Sequence, residues 1–190
     1  MTQVVLVDAH DVAVVAMEKL TAHQAAGHLH RAISVFVFDN AGNVLRQQRA
    51  DDKHLFRLLW ANTACSHPQS GEEREAAGRR RLRGDGHRRS RGRVGTFTYL
   101  AEDAASGLVD HELDHVLIGH SNLDPPPDPT EVADWRRLSV AELRRQLTDD
   151  GTLFAPWLAL ALGCCCSDEV ITHRPRGSQQ CKRSVETLRA

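Results

Sequence analysis

Short apolar runs separated by polar turns dominate the first half of the chain and predict a succession of β-strands. Residues 3–8 and 12–17 form two such runs, and residues 32–39 form a longer third one. The segment 40–43 contains a glycine, which suits a turn that needs positive φ, so residues 44–49 are predicted to return as a hairpin partner. Later runs predict three further strands, at 60–66, 94–100 and 108–120.

Signals for helices are fewer and lie mostly in the second half. Residues 71–83 predict one helix, Ser139 and Glu142 form a capping box for a second that ends near residue 147, and a third is predicted at 154–164. The proline-rich stretch 124–129 must be an exposed loop. Strands outnumber helices and alternate with them irregularly, which predicts an α/β fold of the α+β kind, a mixed β-sheet covered by helices.

Composition narrows the class of protein. The 190 residues suit a single domain, and no apolar run approaches the roughly 20 residues of a membrane span. The first residues lack a basic region and a cleavage site, so they are interpreted as a strand and not a signal peptide. The five cysteines, three of them adjacent at 164–166, fit a reducing cytoplasm. A net charge of −1 favours neither nucleic acid nor a membrane surface as a partner.

Two short segments concentrate the reactive side chains. Cys65 and His67 are two residues apart, and so are Asp110 and Glu112. In a strand, side chains at i and i+2 point to the same face, so each pair can aim both of its groups into one pocket. A thiol, an imidazole and two carboxylates would then meet in one small domain.

These segments belong to a longer series of motifs in fixed order. W-x-N-T-x-C-S-H-P at 60–68 is followed by H-E-L-D-H at 111–115, and further motifs are E-K-L-T-A-H at 18–23, L-H-R-A at 29–32, L-R-Q-Q-R-A at 45–50, Lys53, G-T-F-T-Y at 95–99 and A-P-W at 155–157. The series resembles the type I isopentenyl diphosphate isomerases, a branch of the Nudix-fold enzymes, over about residues 3–162. The resemblance implies a Nudix-like mixed sheet sandwiched by helices, a single domain at 1–165 and a divergent, loosely ordered tail at 166–190.

The resemblance also implies an activity, the 1,3-allylic rearrangement of isopentenyl diphosphate to dimethylallyl diphosphate in isoprenoid biosynthesis. In the family a cysteine and a glutamate on opposite faces of the substrate protonate the double bond and remove a proton, and these roles fall to Cys65 and Glu112. Tyr99 matches a tyrosine that assists the proton transfer, and Trp157 matches the residue whose π-face stabilises the carbocation. Taken alone, Cys65 is equally interpreted as a small buried hydrophobe and Trp157 as a core residue.

Two metal sites are implied. Imidazole nitrogens and carboxylate oxygens suit Zn²⁺, Mn²⁺ or Mg²⁺. The resemblance selects five ligands for one such ion: His23, His30, His67, Asp110 and Glu112. The remaining eight of the eleven histidines are interpreted as surface or core residues. A second ion, Mg²⁺ bridged to the diphosphate, is held in the family by a glutamate at the end of the 71–83 helix, and Asp85 stands at that position.

The diphosphate requires cations, since charge-assisted bonds to phosphate are among the stronger ones. The residues at the family's cationic positions are Lys19, Arg49, Lys53 and Arg81, with Ser66 as a further contact. Each of the four cations taken alone would be interpreted as a solvated surface charge.

Several positions depart from the family. Asp85 and Asp110 are one methylene shorter than the usual glutamates, and residues 56–59 replace a proline-glycine pair. Eight of the 24 Lys and Arg residues fall between 79 and 93. That run is interpreted as a solvated basic loop, a nucleic-acid or polyanion patch, or a helix end garbled by a shifted reading frame.

Two alternatives to the isomerase stay open. One is a degenerate family member that binds metal or diphosphate with little turnover. The other is a Nudix pyrophosphohydrolase, whose glutamate-rich helix holds several Mg²⁺ ions, although Glu72, Glu73 and Glu75 lie at the wrong end of residues 71–86. Family members occur as monomers and homodimers, so the oligomeric state is open, and the three adjacent cysteines lack a second ligand cluster for a soft metal.

Overall fold

The protein is built around one mixed β-sheet. The structure is a computed structural model, and it describes residues 2–83, 90–124, 128–165 and 186–187. The strands in this part of the chain are β1 (Gln3–Val7), β2 (Ala13–Glu18), β3 (His30–Phe38), β4 (Asn43–Arg49), β5 (Trp60–Ala61), β6 (Ala64–Ser66), β7 (Ser90–Asp103), β8 (Leu108–His120), β9 (Val132–Ser139) and β10 (Glu186–Thr187). The helices are α1 (Lys19–Ala22), α2 (Arg74–Arg83), α3 (Val140–Asp149) and α4 (Leu158–Cys165).

The strand order is β10-β7-β8-β3-β1-β2, with β4 and β6 also pairing with β3 and with β5 and β9 pairing with β4. The pairings β3–β8 and β10–β7 are parallel and the others are antiparallel. The parallel register sets His30 opposite Glu112, while Tyr99 in β7 lies opposite Glu112 on its other side. The centre of the sheet thus places three predicted site residues in one row.

Helices cover both faces of the sheet. On one face Phe36 and Val116 pack with Leu143 of α3 and Leu158 of α4. On the other face Ile33 and Leu117 join a core cluster with Ala77 and Leu82 of α2. The predicted mixed sheet sandwiched by helices is confirmed.

Several predicted element boundaries are wrong. The strand predicted at 60–66 is interrupted, because the buried side chains of Asn62 and Thr63 bond to backbone groups of β3 and β4 where ladder bonds would run. The helix predicted from residue 154 begins at Leu158. Sequence patterns also missed β9 and α1, since β9 lacks a clean alternation of buried and exposed residues and α1 has only four residues.

The basic run at 79–93 is only partly the loop that was predicted. Helix α2 continues to Arg83 and β7 begins at Ser90, so both ends of the run are regular structure. Arg80 Nε lies 2.8 Å from Glu72 Oε1, which fixes one of these cations on the helix itself. Residues 84–89, including Asp85, lie outside the described residues, and so does the tail apart from 186–187.

A buried polar cluster lies on the α2 side of the sheet, and we call it the Asp11 cluster (Asp11, Arg31, Arg74, Thr96 and His115). Arg31 Nε donates to Asp11 Oδ1 at 2.6 Å, and an Arg74 guanidinium nitrogen donates to Asp11 Oδ2. His115 Nε2 lies 3.1 Å from Asp11 Oδ2 and its Nδ1 lies 3.2 Å from Thr96 Oγ1. The cluster ties the β1–β2 turn to β3, β8 and the first residue of α2.

No helix within the described ranges is both long enough and apolar enough to cross a membrane.

Candidate active site

The predicted site residues meet on the face of the sheet that α3 and α4 cover. Along β8, Asp110 and Glu112 are buried on the same face as the core residues Val116 and Ile118. Cys65 lies in β6 opposite Ser34 of β3, so the thiol is brought to the same region by strand pairing. The site therefore continues the hydrophobic core with polar side chains.

Four of the predicted metal ligands form a tight group. One ligand atom from each of His23, His30, His67 and Glu112 lies within 4.8 Å of all the others. His23 Nδ1 lies 2.6 Å from the Lys19 carbonyl, and His30 Nδ1 lies 2.8 Å from the His28 carbonyl. Because a carbonyl only accepts, each Nδ1 carries the proton and each Nε2 keeps its lone pair for a metal.

Unsatisfied polar atoms support a missing ligand at this group. His30 Nε2 and Asp110 Oδ1 are both buried without a hydrogen-bond partner. Asp110 Oδ1 is 3.2 Å from His23 Nε2, so Asp110 lies beside the tight group. Because an unpartnered buried polar atom costs free energy, these nitrogen and oxygen donors fit a divalent cation. The group can hold a metal ion, with Asp110 at its margin.

Tyr99 bridges the two carboxylates. Its hydroxyl lies 2.7 Å from Asp110 Oδ2 and 2.8 Å from Glu112 Oε2. Burial and the two neighbouring carboxylates raise the pKa of Tyr99 well above its usual range, so the phenol keeps its proton at neutral pH. The residue can therefore donate a proton or a hydrogen bond to Glu112.

The histidines around Glu112 differ in charge. Burial alone would raise the pKa of Glu112, but hydrogen bonds from His30 and His67 hold it well below the usual value. Burial likewise would lower the pKa of His30, and the bond and charge of Glu112 raise it instead. For His67 burial dominates and lowers the pKa to about 4, so this imidazole is neutral at pH 7.

Cys65 carries a protonated thiol. Burial, with the charges of Asp114 and Glu112 adding to it, raises the pKa of Cys65 to about 12. Its Sγ lies 3.2 Å from Asn62 Oδ1, the geometry of an S–H donor. A buried thiol that holds its proton is suited to exchange that proton with a substrate atom.

Trp157 contributes an aromatic wall. Its ring centroid lies 5.9 Å from that of Tyr99 and 5.6 Å from that of Phe56, and the Arg49 guanidinium is 5.4 Å from it. The side chain also packs in the core next to α4, so both sequence interpretations of Trp157, core residue and site residue, hold.

The predicted diphosphate cations are partly engaged by protein groups. Arg49 is anchored by the backbone carbonyls of Leu55 and Phe56, at 2.9 and 3.0 Å. Glu131 binds Lys53 Nζ at 2.5 Å and an Arg81 guanidinium nitrogen at 2.9 Å.

Burial lowers the pKa of Lys19, an effect that the charges of Glu112 and Asp110 offset only in part. Lys19 therefore lies within electrostatic reach of the metal group. Ser66 pairs with Ile33 in the sheet, and its substrate contact stays a prediction.

Sequence reasoning missed four side chains at or near this site. Asn62 contacts both Cys65 and Trp157, and Glu131 joins two predicted diphosphate cations. Ser34 Oγ donates to Asp114 Oδ2 at 2.6 Å, beneath Cys65. The sequence did contain a signal for two of them, because Asn62 belongs to the W-x-N motif and Asp114 continues the i, i+2 series of carboxylates after Glu112.

Comparison with known proteins agrees with this geometry. A family model described as NUDIX domain matches residues 28–158. An Isopentenyl-diphosphate Delta-isomerase of Nocardia farcinica is 49% identical over 158 residues, which cover 83% of this chain and 90% of the relative. Isopentenyl-diphosphate Delta-isomerase 2 of Aromatoleum aromaticum is 40% identical over 173 residues, covering 90% of this chain and 88% of the relative.

Solved structures agree at the level of the fold. A crystal structure of a Deinococcus radiodurans protein superposes with a TM-score of 0.69 at 18% identity, covering 86% of this chain and 99% of that one. A MutT protein from Methanosarcina mazei gives a TM-score of 0.58 at 10% identity, over 71% of this chain and 91% of that one. The sequence matches go further than the fold: the chain belongs to the NUDIX family and, within it, to the isopentenyl-diphosphate Delta-isomerases.

Proposed function

We propose that this isomerase converts isopentenyl diphosphate to dimethylallyl diphosphate with Cys65 and Glu112 as its acid/base pair. One group adds a proton to the terminal carbon of the double bond, and the other removes a proton from the adjacent methylene on the opposite face. The double bond moves by one carbon, no atom is gained or lost, and the reverse reaction exchanges the two roles. The protonated, buried thiol of Cys65 in the same pocket as Glu112 is the observation that supports this most strongly.

The surroundings suit a carbocation. Protonation of an unactivated alkene gives a tertiary cation that water would capture, so the pocket must exclude water. Tyr99 and Trp157 are both buried and their ring centroids are 5.9 Å apart. A desolvated π-face stabilises a cation by about 2 kcal/mol, and Trp157 is the residue we assign to this role.

We further propose that His23, His30, His67, Asp110 and Glu112 hold Mn²⁺, Zn²⁺ or Mg²⁺. When bound, such an ion supplies positive charge that fixes and neutralises the buried carboxylates. The orphaned His30 Nε2 and Asp110 Oδ1 support this assignment independently of the resemblance. The Mg²⁺ expected at Asp85 lies outside the described residues and stays a prediction.

We assign the diphosphate of the substrate to Lys19, Arg49, Lys53 and Arg81, with Ser66 as a further contact. Arg49 lies over Trp157, so it is placed where the substrate's charged end would meet its apolar end. Lys53 and Arg81 are bridged by Glu131, and the diphosphate would take over part of that bridge. Charge-assisted bonds of this kind are about twice as strong as neutral ones.

The test is turnover of isopentenyl diphosphate to its acid-labile isomer by the purified chain, in the presence of each candidate metal. We expect activity in the wild type that disappears in Cys65→Ala and in Glu112→Gln. Cys164→Ala is the matched control, because Cys164 is a buried cysteine of α4 outside the acid/base pair. Full turnover in Cys65→Ala would overturn the mechanism.

The same preparation separates the alternatives. Calorimetric binding of the substrate by folded, metal-loaded protein without turnover would indicate a degenerate family member. Release of phosphate from nucleoside diphosphates would indicate a pyrophosphohydrolase instead, although Glu72, one of the glutamates such chemistry needs, already pairs with Arg80.

We also propose a cytoplasmic location and a domain at residues 1–165. The unpaired thiols of Cys65, Cys164 and Cys165 among the described residues support a reducing compartment. The proposal includes no nucleic-acid or membrane partner and allows a monomer or a homodimer, which light scattering of the purified protein would distinguish.

A further inference from the structure

We propose that Asn62 is a positioning residue that holds the thiol of Cys65 and the indole of Trp157 in one fixed geometry. The inference rests on the proposed function, since it concerns two residues assigned to that reaction. It assigns a role to a side chain that was neither a predicted acid, a base, a ligand nor a cation.

The carbonyl oxygen of Asn62 contacts both groups. Asn62 Oδ1 lies 3.2 Å from Cys65 Sγ and 2.9 Å from Trp157 Nε1. The indole N–H can only donate, so Oδ1 is its acceptor. One oxygen atom therefore links the proposed acid in β6 to the proposed cation-stabilising ring just before α4.

The orientation of the Asn62 amide is fixed by its other end. Asn62 Nδ2 lies 3.2 Å from the Val35 carbonyl and 2.8 Å from the Ala64 carbonyl. Both carbonyls accept only, so the amide nitrogen must face them and Oδ1 must face the thiol and the indole. With two donors and two lone pairs in use and a side chain only 1% exposed, Asn62 has no alternative arrangement that keeps its bonds.

This arrangement explains a feature of the backbone. Asn62 and Thr63 occupy the break between β5 and β6, where a continuous strand would have been expected. The break turns the Asn62 side chain into the space between the sheet and the residues before α4, while the ladder bonds it interrupts are replaced by side-chain bonds. A small departure from regular pairing thus creates the contact between Cys65 and Trp157.

A purely structural role for Asn62 predicts a different experiment. Thr63 is the matched control, because it is equally buried, at 4% exposure, and bonds to the Leu45 carbonyl and the Val37 N–H without touching Cys65 or Trp157. We expect Thr63→Val to lower stability and leave kcat of the folded enzyme unchanged. We expect Asn62→Ala to lower kcat by about 10- to 100-fold with KM changed less than about threefold, because misplacement of reacting groups by about 1 Å has effects of this size.

A spectroscopic measurement reports on the contact directly. The chain has three tryptophans, so a ¹⁵N-labelled sample gives three indole N–H signals, and Trp157→Phe identifies one of them. We expect the Trp157 signal to exchange slowly with solvent in the wild type, to shift and exchange faster in Asn62→Ala, and to stay in place in Thr63→Val. If Asn62→Ala does not fold, the wild-type exchange rate alone still tests the inference, since rapid exchange contradicts it.

Three further results would overturn the proposal: unchanged kcat in Asn62→Ala, an unmoved indole signal in that variant, or the same loss of kcat in Thr63→Val. Failure of the proposed function is a separate outcome. Full turnover in Cys65→Ala would remove the acid/base assignment, while the indole signals would still show whether Asn62 binds Trp157.

Discussion

Strand β8 separates two buried polar clusters that lie back to back. One face carries Glu112 and the metal group, and the other carries His115 in the Asp11 cluster. In the Asp11 cluster the carboxylate accepts from two arginines, and none of its atoms is among the unpartnered buried atoms of the described residues. In the active site, His30 Nε2 and Asp110 Oδ1 lack partners.

The difference between the clusters distinguishes structure from function. A satisfied buried network stabilises the fold that contains it, whereas a half-satisfied network is worse than an apolar core and persists only when a ligand completes it. Two clusters on one strand therefore predict opposite responses to the removal of a carboxylate.

The largest expected effect is that of Glu112→Gln on turnover. We expect activity to fall by about a thousandfold, as for other general acids and bases, while the free energy of unfolding of the metal-free protein changes by less than about 1 kcal/mol. The charge lost is one of several crowded carboxylates, so its removal relieves repulsion. Substrate turnover and urea denaturation of the same samples check this, and a large loss of stability with normal turnover would reverse the comparison.

Metal binding gives the next largest effect. At about 100 times its dissociation constant, an ion that binds only the folded state stabilises it by about 2.7 kcal/mol. We expect this gain for Mn²⁺ in the wild type and in Asp11→Asn, and its absence in His30→Gln. Thermal unfolding with and without the ion measures it, and an equal gain in all three proteins would mean that the ion binds elsewhere.

Asp11→Asn should act on stability. The substitution breaks a partly buried network, and we expect a loss of about 2 kcal/mol with turnover of the folded enzyme within threefold of normal. Urea denaturation and initial rates provide the two readouts. A much greater loss of turnover at full stability would place the Asp11 cluster in the reaction.

The pH dependence of this loss has a definite sign. Burial alone would raise the pKa of Asp11, but the bonds and charges of Arg31, His115 and Arg74 hold it below the ordinary value. The contribution of Asp11 is therefore complete above the unfolded carboxyl pKa of about 3.9 and is lost as pH falls through the lower folded pKa. The stability difference between wild type and Asp11→Asn should shrink in that acid range.

The smallest effect concerns backbone strain next to the site. Phe56 and Leu58 adopt φ of 51° and 60° in the loop that anchors Arg49, whereas Asp11, at 64°, is a residue type that tolerates this region. Leu58 is 45% exposed and makes its backbone bond through its N–H, so Leu58→Gly should raise the free energy of unfolding by about 1 kcal/mol. Denaturation curves measure the gain, and a loss of stability would show that the leucine side chain matters more than its conformation.

Local patterns predicted the site better than its supports. The i, i+2 spacing correctly put Asp110 with Glu112, and the motifs identified the histidines that the fold brings together. Glu131 was not predictable, because its contact with Lys53 depends on how β9 pairs with β4, a strand that alternation failed to reveal. The Asp11 cluster likewise joins residues up to 104 positions apart, from Asp11 to His115, and only the tertiary fold brings them together.

The parallel pairing of β3 with β8 has a consequence for synthesis of the chain. The three histidines of the metal group leave the ribosome before Glu112, and β8 must insert between β3 and β7 before the fourth ligand arrives. A slip of one residue in that insertion would turn Glu112 to the opposite face. High-affinity capture of the ion is thus a late event in folding, and it marks the chains in which the central strand has found its register.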